Sequence, residues 1–102
     1  MPDRRRQNAQ PQAAALKSKR AELKWQMKAL GPLMRGSLVL IGVRNKQPYF
    51  TLSKGRKTQL IYLGKKREGK AREYSNNYHR LLEIVEEMTQ INMKLLKLDA
   101  CD

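Results

Sequence analysis

Side chains able to run acid–base or nucleophilic chemistry are scarce in this chain, and those present stand apart. His79 is the single histidine, with no serine, cysteine or metal-ligand partner at a working spacing, so it reads as a surface or interface residue. Glu86 and Glu87 are neighbours on what reads as helix, where consecutive side chains diverge by about 100°, the wrong geometry for two carboxylates acting on one bond. Cys101 is the single cysteine, which leaves no internal disulfide to form and no Cys/His cluster to hold zinc. No metal, no cofactor and no enzymatic activity are expected.

The chemistry in supply is cationic. The chain carries 22 Lys or Arg against 9 Asp or Glu in 102 residues, a net charge of +13. The charge is segregated: residues 1–72 hold 19 bases against Asp3, Glu22 and Glu68 (+16), and residues 73–102 hold 3 bases against 6 acids (−3). A field of this sign and density favours nucleic acid, whose phosphates release counterions when neutralised by Lys and Arg. A membrane is the weaker partner, because no apolar run approaches the ~20 residues of a bilayer span and no basic helix shows a large aromatic anchor face. The arginines near the start are followed by no apolar stretch of the kind a secretory signal needs, and with one cysteine a reducing, cytoplasmic location is expected.

Four groups of cations are candidates for phosphate contact. Arg4, Arg5 and Arg6 lie in a polar stretch punctuated by Pro2 and Pro11, which reads as a flexible basic arm over residues 1–12. Arg44 and Lys46 lie in a connector, Lys54, Arg56 and Lys57 surround Gly55, and Lys65, Lys66, Arg67, Lys70 and Arg72 form the densest positive run. That last run joins strand to helix, a position from which either a loop or a helix N-terminus can meet phosphate.

The element that positions most of these groups is residues 35–64, the one stretch that reads as sheet. Residues 38–43 are apolar and β-branched, residues 49–53 and 58–63 alternate, and turn residues separate them, so three antiparallel strands are expected. A tight hairpin at Gly55-Arg56 pairs Ser53 with Thr58, Thr51 with Leu60 and Tyr49 with Tyr62. Phe50, Leu52, Ile61 and Leu63 then share a core face, and Tyr49 and Tyr62 lie on the other face with the polar and basic residues, as candidate nucleic-acid contacts.

Helices flank the sheet. From Ala13 a 3–4 spacing through Leu16, Arg20, Leu23, Met27 and Leu30 predicts a helix stopped by Gly31-Pro32, with Trp25 beside the stripe as packing mass. Residues 70–97 predict a long helix with Tyr74, Leu81, Met88 and Leu95 at one heptad position and Asn77, Ile84, Ile91 and Leu98 at the other. Its length, ~42 Å, exceeds what a small sheet covers. Leu81, Ile84, Met88, Ile91 and Leu95 are therefore the candidate helical interface, closing either within the chain against the first helix or between chains in a homodimer or larger assembly. Asn77 and Asn92, at or beside the seam, are candidates to specify register. The domain expected is a single α-βββ-α unit over residues 13–98, an α+β fold, with residues 99–102 as a tail.

Arg35-Gly36-Ser37-Leu38, Pro48-Tyr49-Phe50-Thr51-Leu52-Ser53, Gly55-Arg56-Lys57-Thr58, Tyr62 and a long helix with Tyr78, Leu81 and Leu95-Leu96 together resemble a family of short prokaryotic proteins of unknown function found in mobile-element contexts, over about residues 20–98. In that family a Cys-rich segment with the look of a metal site precedes the Pro-Tyr-aromatic motif. Here Arg44-Asn45-Lys46-Gln47 stands in its place, so the resemblance implies no metal for this chain. The order strand, Lys-Gly-Arg-Lys turn, strand, basic segment, helix also resembles the arm-binding domains of tyrosine recombinases. That resemblance implies a sheet laid in the DNA major groove. The expected function is duplex-DNA binding by an accessory or regulatory factor, with an RNA-binding component of a ribonucleoprotein and a helical scaffold or adaptor as alternatives.

Overall fold

The structure, a computed structural model, describes the backbone of residues 4–100 and the side chains of residues 11–100. The fold is α+β: helix α1 (Arg4–Ala29), strands β1 (Ser37–Ile41), β2 (Gln47–Lys54) and β3 (Lys57–Tyr62), and helix α2 (Gly64–Lys97). The chain divides into two compact units, one of Met1–Ala29 with Leu81–Asp102 and one of Leu30–Arg80.

The first unit is a helical hairpin. Leu23 of α1 and Ile84 and Leu95 of α2 are wholly buried, and Ala13 and Ile91 are nearly so. The two helices run antiparallel, since Arg20 Nη1 donates to Asn92 Oδ1 at 2.9 Å while Gln12 and Leu16, earlier in α1, share a cleft with Lys94, Lys97 and Leu98, later in the chain. Ile84, Ile91 and Leu95 are thus buried by the chain itself, with Leu81 and Met88 half-buried beside them. Asn92 marks the register through its bond to Arg20. Trp25, expected to pack beside the stripe, is 72% exposed. Two residues past Leu23 it stands about 200° around the helix, away from the buried line.

Two boundaries differ from expectation. Residues 4–12, read as an arm, carry the opening turns of α1, which continues through Pro11. Gln and Ala in this stretch are good helix formers, and they outweigh the proline's lost hydrogen bond. The side chains of Arg4, Arg5 and Arg6 lie outside the described residues, as does Cys101. At the other helix, α2 begins at Gly64 rather than near residue 70, so the basic run 65–72 is helix and not linker.

The second unit is the sheet, ordered β1-β2-β3 and antiparallel throughout. β2 and β3 pair Tyr49 with Tyr62, Thr51 with Leu60 and Ser53 with Thr58, the expected register. Gly55 has φ of +64°, and no non-glycine turn residue there is left-handed, so Gly55-Arg56 is a two-residue turn with its strained position first, the II′ pattern. β1 pairs Leu38 with Phe50 and Val39 with Tyr49, and it stops at Ile41, so Val43 belongs to the connector and is 97% exposed.

Phe50, Leu63 and Ala71 form the core of this unit, with Met34 and Leu38 packed against them. Leu52 is half-buried, and Ile61, expected in the core, is 51% exposed. Residue parity places Ile61 on the Phe50 side of the sheet, but cover on that side centres on Phe50, Leu63 and Ala71; Ile61 lines an open groove of about 240 Å³ with Met34, Arg35, Phe50, Leu52 and Gln59. The segment before β1 is tied to α2 by Met34 N donating to Tyr74 O at 3.2 Å and Asn77 Nδ2 donating to Pro32 O at 2.7 Å. Gly36 has no room for a side chain, because a Cβ there would lie 2.5 Å from the Thr51 carbonyl oxygen.

Candidate nucleic-acid interface

The face of the sheet opposite Phe50 is built by alternate residues of all three strands: Val39 and Ile41 of β1, Tyr49 and Thr51 of β2, Leu60 and Tyr62 of β3. Ile41, Leu60 and Tyr62 keep 44, 54 and 50% of their surface exposed, too much for a covered second core. Tyr49 and Tyr62 meet edge to face, with ring centroids 5.4 Å apart. Tyr62 Oη donates to Gln47 Oε1 at 3.3 Å, which orients the ring on the open face. Toward the hairpin, Ser53 and Thr58 share a hydroxyl hydrogen bond of 3.2 Å.

Cations bracket this face at both ends of the strands. At one end Lys54 is the direct cross-strand partner of Lys57, with Arg56 in the turn between them. Like charges placed opposite each other in a ladder are unfavourable, and among the described residues no carboxylate pairs with any of the three. Arg35, which sequence reasoning passed over, braces the base of this hairpin by donating from Nη1 to the Ser53 carbonyl at 3.1 Å. Only the strand pairing that brings residue 37 opposite residue 51 reveals its position.

At the other end the connector with Arg44 and Lys46 leads into β2, and Leu63 N donates to the Pro48 carbonyl at 3.0 Å, so the start of α2 emerges beside it. Lys65, Lys66 and Arg67 are exposed in the first turn of that helix, which contains no acidic residue. Bases near a helix N-terminus oppose its dipole, so this arrangement favours an anion brought from outside over any internal compensation. Lys70 and Arg72 differ from the rest: they are paired with Glu73 at 3.3 Å and Glu68 at 3.2 Å.

The structure thus brings Arg44, Lys46, Lys65, Lys66 and Arg67 to one end of the sheet and Lys54, Arg56 and Lys57 to the other, with Tyr49 and Tyr62 between. The unit of residues 30–80 holds twelve bases against Glu68 and Glu73, or +10, whereas the helical hairpin holds ten against seven acids, or +3. Among the described residues no group of three His, Cys, Asp or Glu is placed to hold a metal, and no helix is long and apolar enough to cross a membrane.

The two faces make different predictions. Phe50→Ala removes a ring that is 4% exposed and should lower stability by about 3–5 kcal/mol, whereas Tyr49→Ala, at a half-buried position on the opposite face, should cost clearly less. Thermal denaturation of both variants checks the assignment; a larger loss for Tyr49→Ala would mean that the faces are exchanged. Comparison of the chain with protein-family models, with curated proteins and with solved structures returns no match.

Proposed function

We propose that this chain binds duplex DNA through the outer face of its sheet, as an accessory or regulatory factor. The observation that carries the reading is the pairing of Lys54 with Lys57 around Arg56, a cationic tip maintained against its own repulsion with no carboxylate to offset it among the described residues. β2 spans 8 residues, so the two cationic ends stand ~23 Å apart, enough to cross a major groove ~12 Å wide and reach the phosphates on both walls. The strands would then lie in the groove, with phosphate contacts setting position and Arg56 the side chain best placed to read a base edge. The same outer face supports this reading by being open, polar at the hairpin and aromatic toward the helix. The resemblance to proteins of mobile-element contexts is in keeping with it.

The edge-to-face pair of half-buried Tyr49 and exposed Tyr62 supports a second reading, single-stranded or structured RNA, since sheet aromatics are platforms on which unpaired bases stack. Competition decides between them. With a labelled duplex bound, unlabelled duplex DNA of unrelated sequence should displace the probe at least ~10-fold more effectively than an RNA hairpin or single strand of equal length, because only the B-form groove admits the sheet. Equal or better competition by RNA would transfer the function to the second reading.

A further inference from the structure

Strand β3 is a free edge. The sheet runs β1-β2-β3, so β3 has β2 on one side and, among the described residues, no strand on the other. All six of its residues are exposed. Leu63 N donates to the Pro48 carbonyl at 3.0 Å, which fixes the phase of the ladder: residues 57, 59 and 61 bond to β2, while Thr58, Leu60 and Tyr62 turn their N–H and C=O groups outward. A row of outward backbone donors and acceptors is a template for one kind of occupant, another extended chain. Proteins usually blunt such an edge with charge, proline or a bulge. Thr58–Tyr62 contains no charged residue and no proline, and it pairs residue for residue with β2.

The surroundings of the edge define the chemistry of that chain. Gln59 and Ile61 line the open groove of about 240 Å³ on the Phe50 side, together with Phe50 and Leu52. A strand added beside β3 sends every second side chain to that side, where an aromatic residue is long enough to reach the groove. Exposed cations lie beyond both ends of the edge: Lys54, Arg56 and Lys57 at the hairpin, and Lys65, Lys66 and Arg67 within five residues of Tyr62. Among the described residues no carboxylate pairs with any of the six. An occupant with acid at both ends meets them, whereas a second copy of this chain does not. Antiparallel pairing of β3 with itself about Leu60 brings the hairpin tip of each chain against the Lys65–Arg67 run of the other, like charge on like.

We infer that β3 accepts, as a fourth and antiparallel strand, an extended peptide segment of a partner protein, alternating and apolar on its groove side and acidic at both ends. The main-chain bonds to Thr58, Leu60 and Tyr62 supply affinity, and the groove and the flanking cations supply selectivity. This inference does not rest on DNA binding, since the peptide occupies the edge of the sheet and not its outer face.

The probe is the peptide Asp-Glu-Thr-Val-Thr-Phe-Thr-Val-Glu-Asp, labelled at its N-terminus and titrated with the full chain by fluorescence anisotropy. Paired antiparallel with its aromatic residue toward the groove, it sets its threonines opposite Thr58, Leu60 and Tyr62, so that the threonine amides face β3 and the valine and phenylalanine amides face away. N-methylation of the three threonines should therefore weaken binding at least ~10-fold, and N-methylation of the two valines and the phenylalanine by less than ~3-fold. Replacing the four acids by Asn and Gln should cost a further ~10-fold at low salt. Leu60→Pro removes an outward amide only, so it should abolish binding with circular dichroism unchanged. The peptide series uses the parent chain and decides the matter whatever Leu60→Pro does to the fold. Equal binding by the two methylated peptides would reduce the contact to charge attraction, and the reverse pattern would turn the aromatic residue away from the groove; either overturns the inference. So would self-association of the parent above 11.9 kDa that Leu60→Pro removes, which would give the edge to a second copy.

Discussion

Lysine at both Ile84 and Ile91 should abolish most of the helical circular dichroism of this protein, and to the same extent at every protein concentration. Ile84 is wholly buried and Ile91 is 8% exposed, in the unit that contains α1 and the second half of α2. Truncating one such side chain costs about 2–5 kcal/mol, and placing an unpaired ammonium in its site costs several more, against a total stability of about 5–15 kcal/mol for a domain. α1 and α2 contain 26 and 34 residues, so unfolding of their hairpin is read directly in the far-ultraviolet helix signal. Independence from concentration is the informative part. A seam that closed only between chains would leave the parent's own melting temperature rising steeply with concentration, and a double variant that kept its helicity would remove these residues from the core altogether.

The parts of this fold legible in the sequence are those set by local periodicity. The Gly55-Arg56 turn admits one tight register, and a period of two then sorts Phe50 from Tyr49 without further information. Parity assigns a side of the sheet but not the reach of whatever covers it, which is why Ile61 shares the side of Phe50 yet stays half-exposed. The seam residues Leu81, Ile84, Met88, Ile91 and Leu95 are visible as a heptad line. Whether the line closes within one chain depends on the antiparallel return of α1, fixed by pairs 72 residues apart such as Arg20 and Asn92. The start of α2 is hidden in the sequence because residues 64–70 carry no apolar period; it is marked instead by the left-handed Gly64 and the bond from Leu63 to Pro48. The candidate cations can be named from composition, but their division between two ends of one sheet needs the strand pairing. Equally, the ion pairs of Lys70 and Arg72 depend on a helix that begins at Gly64, ahead of any apolar repeat.

Changing Lys54, Arg56 and Lys57 together to alanine should weaken duplex binding by ~100-fold at about 0.15 M salt and reduce the salt slope by nearly 3, since each phosphate no longer neutralised by the protein retains ~0.9 of a counterion. All three residues are exposed, and removing the Lys54–Lys57 opposition relieves a repulsion, so the fold should be retained. Within the set, Lys57→Ala should act about equally on unrelated sequences, while Arg56→Ala also alters sequence preference if its guanidinium reaches a guanine edge. The most direct measurement is the affinity of parent and triple variant for two unrelated duplexes across a series of salt concentrations, by fluorescence anisotropy. DNA binding through the sheet hairpin requires the parent's logarithmic slope to exceed the variant's by nearly 3 on both duplexes, with circular dichroism unchanged. Equal slopes for the two proteins would contradict it and move the binding surface away from the hairpin.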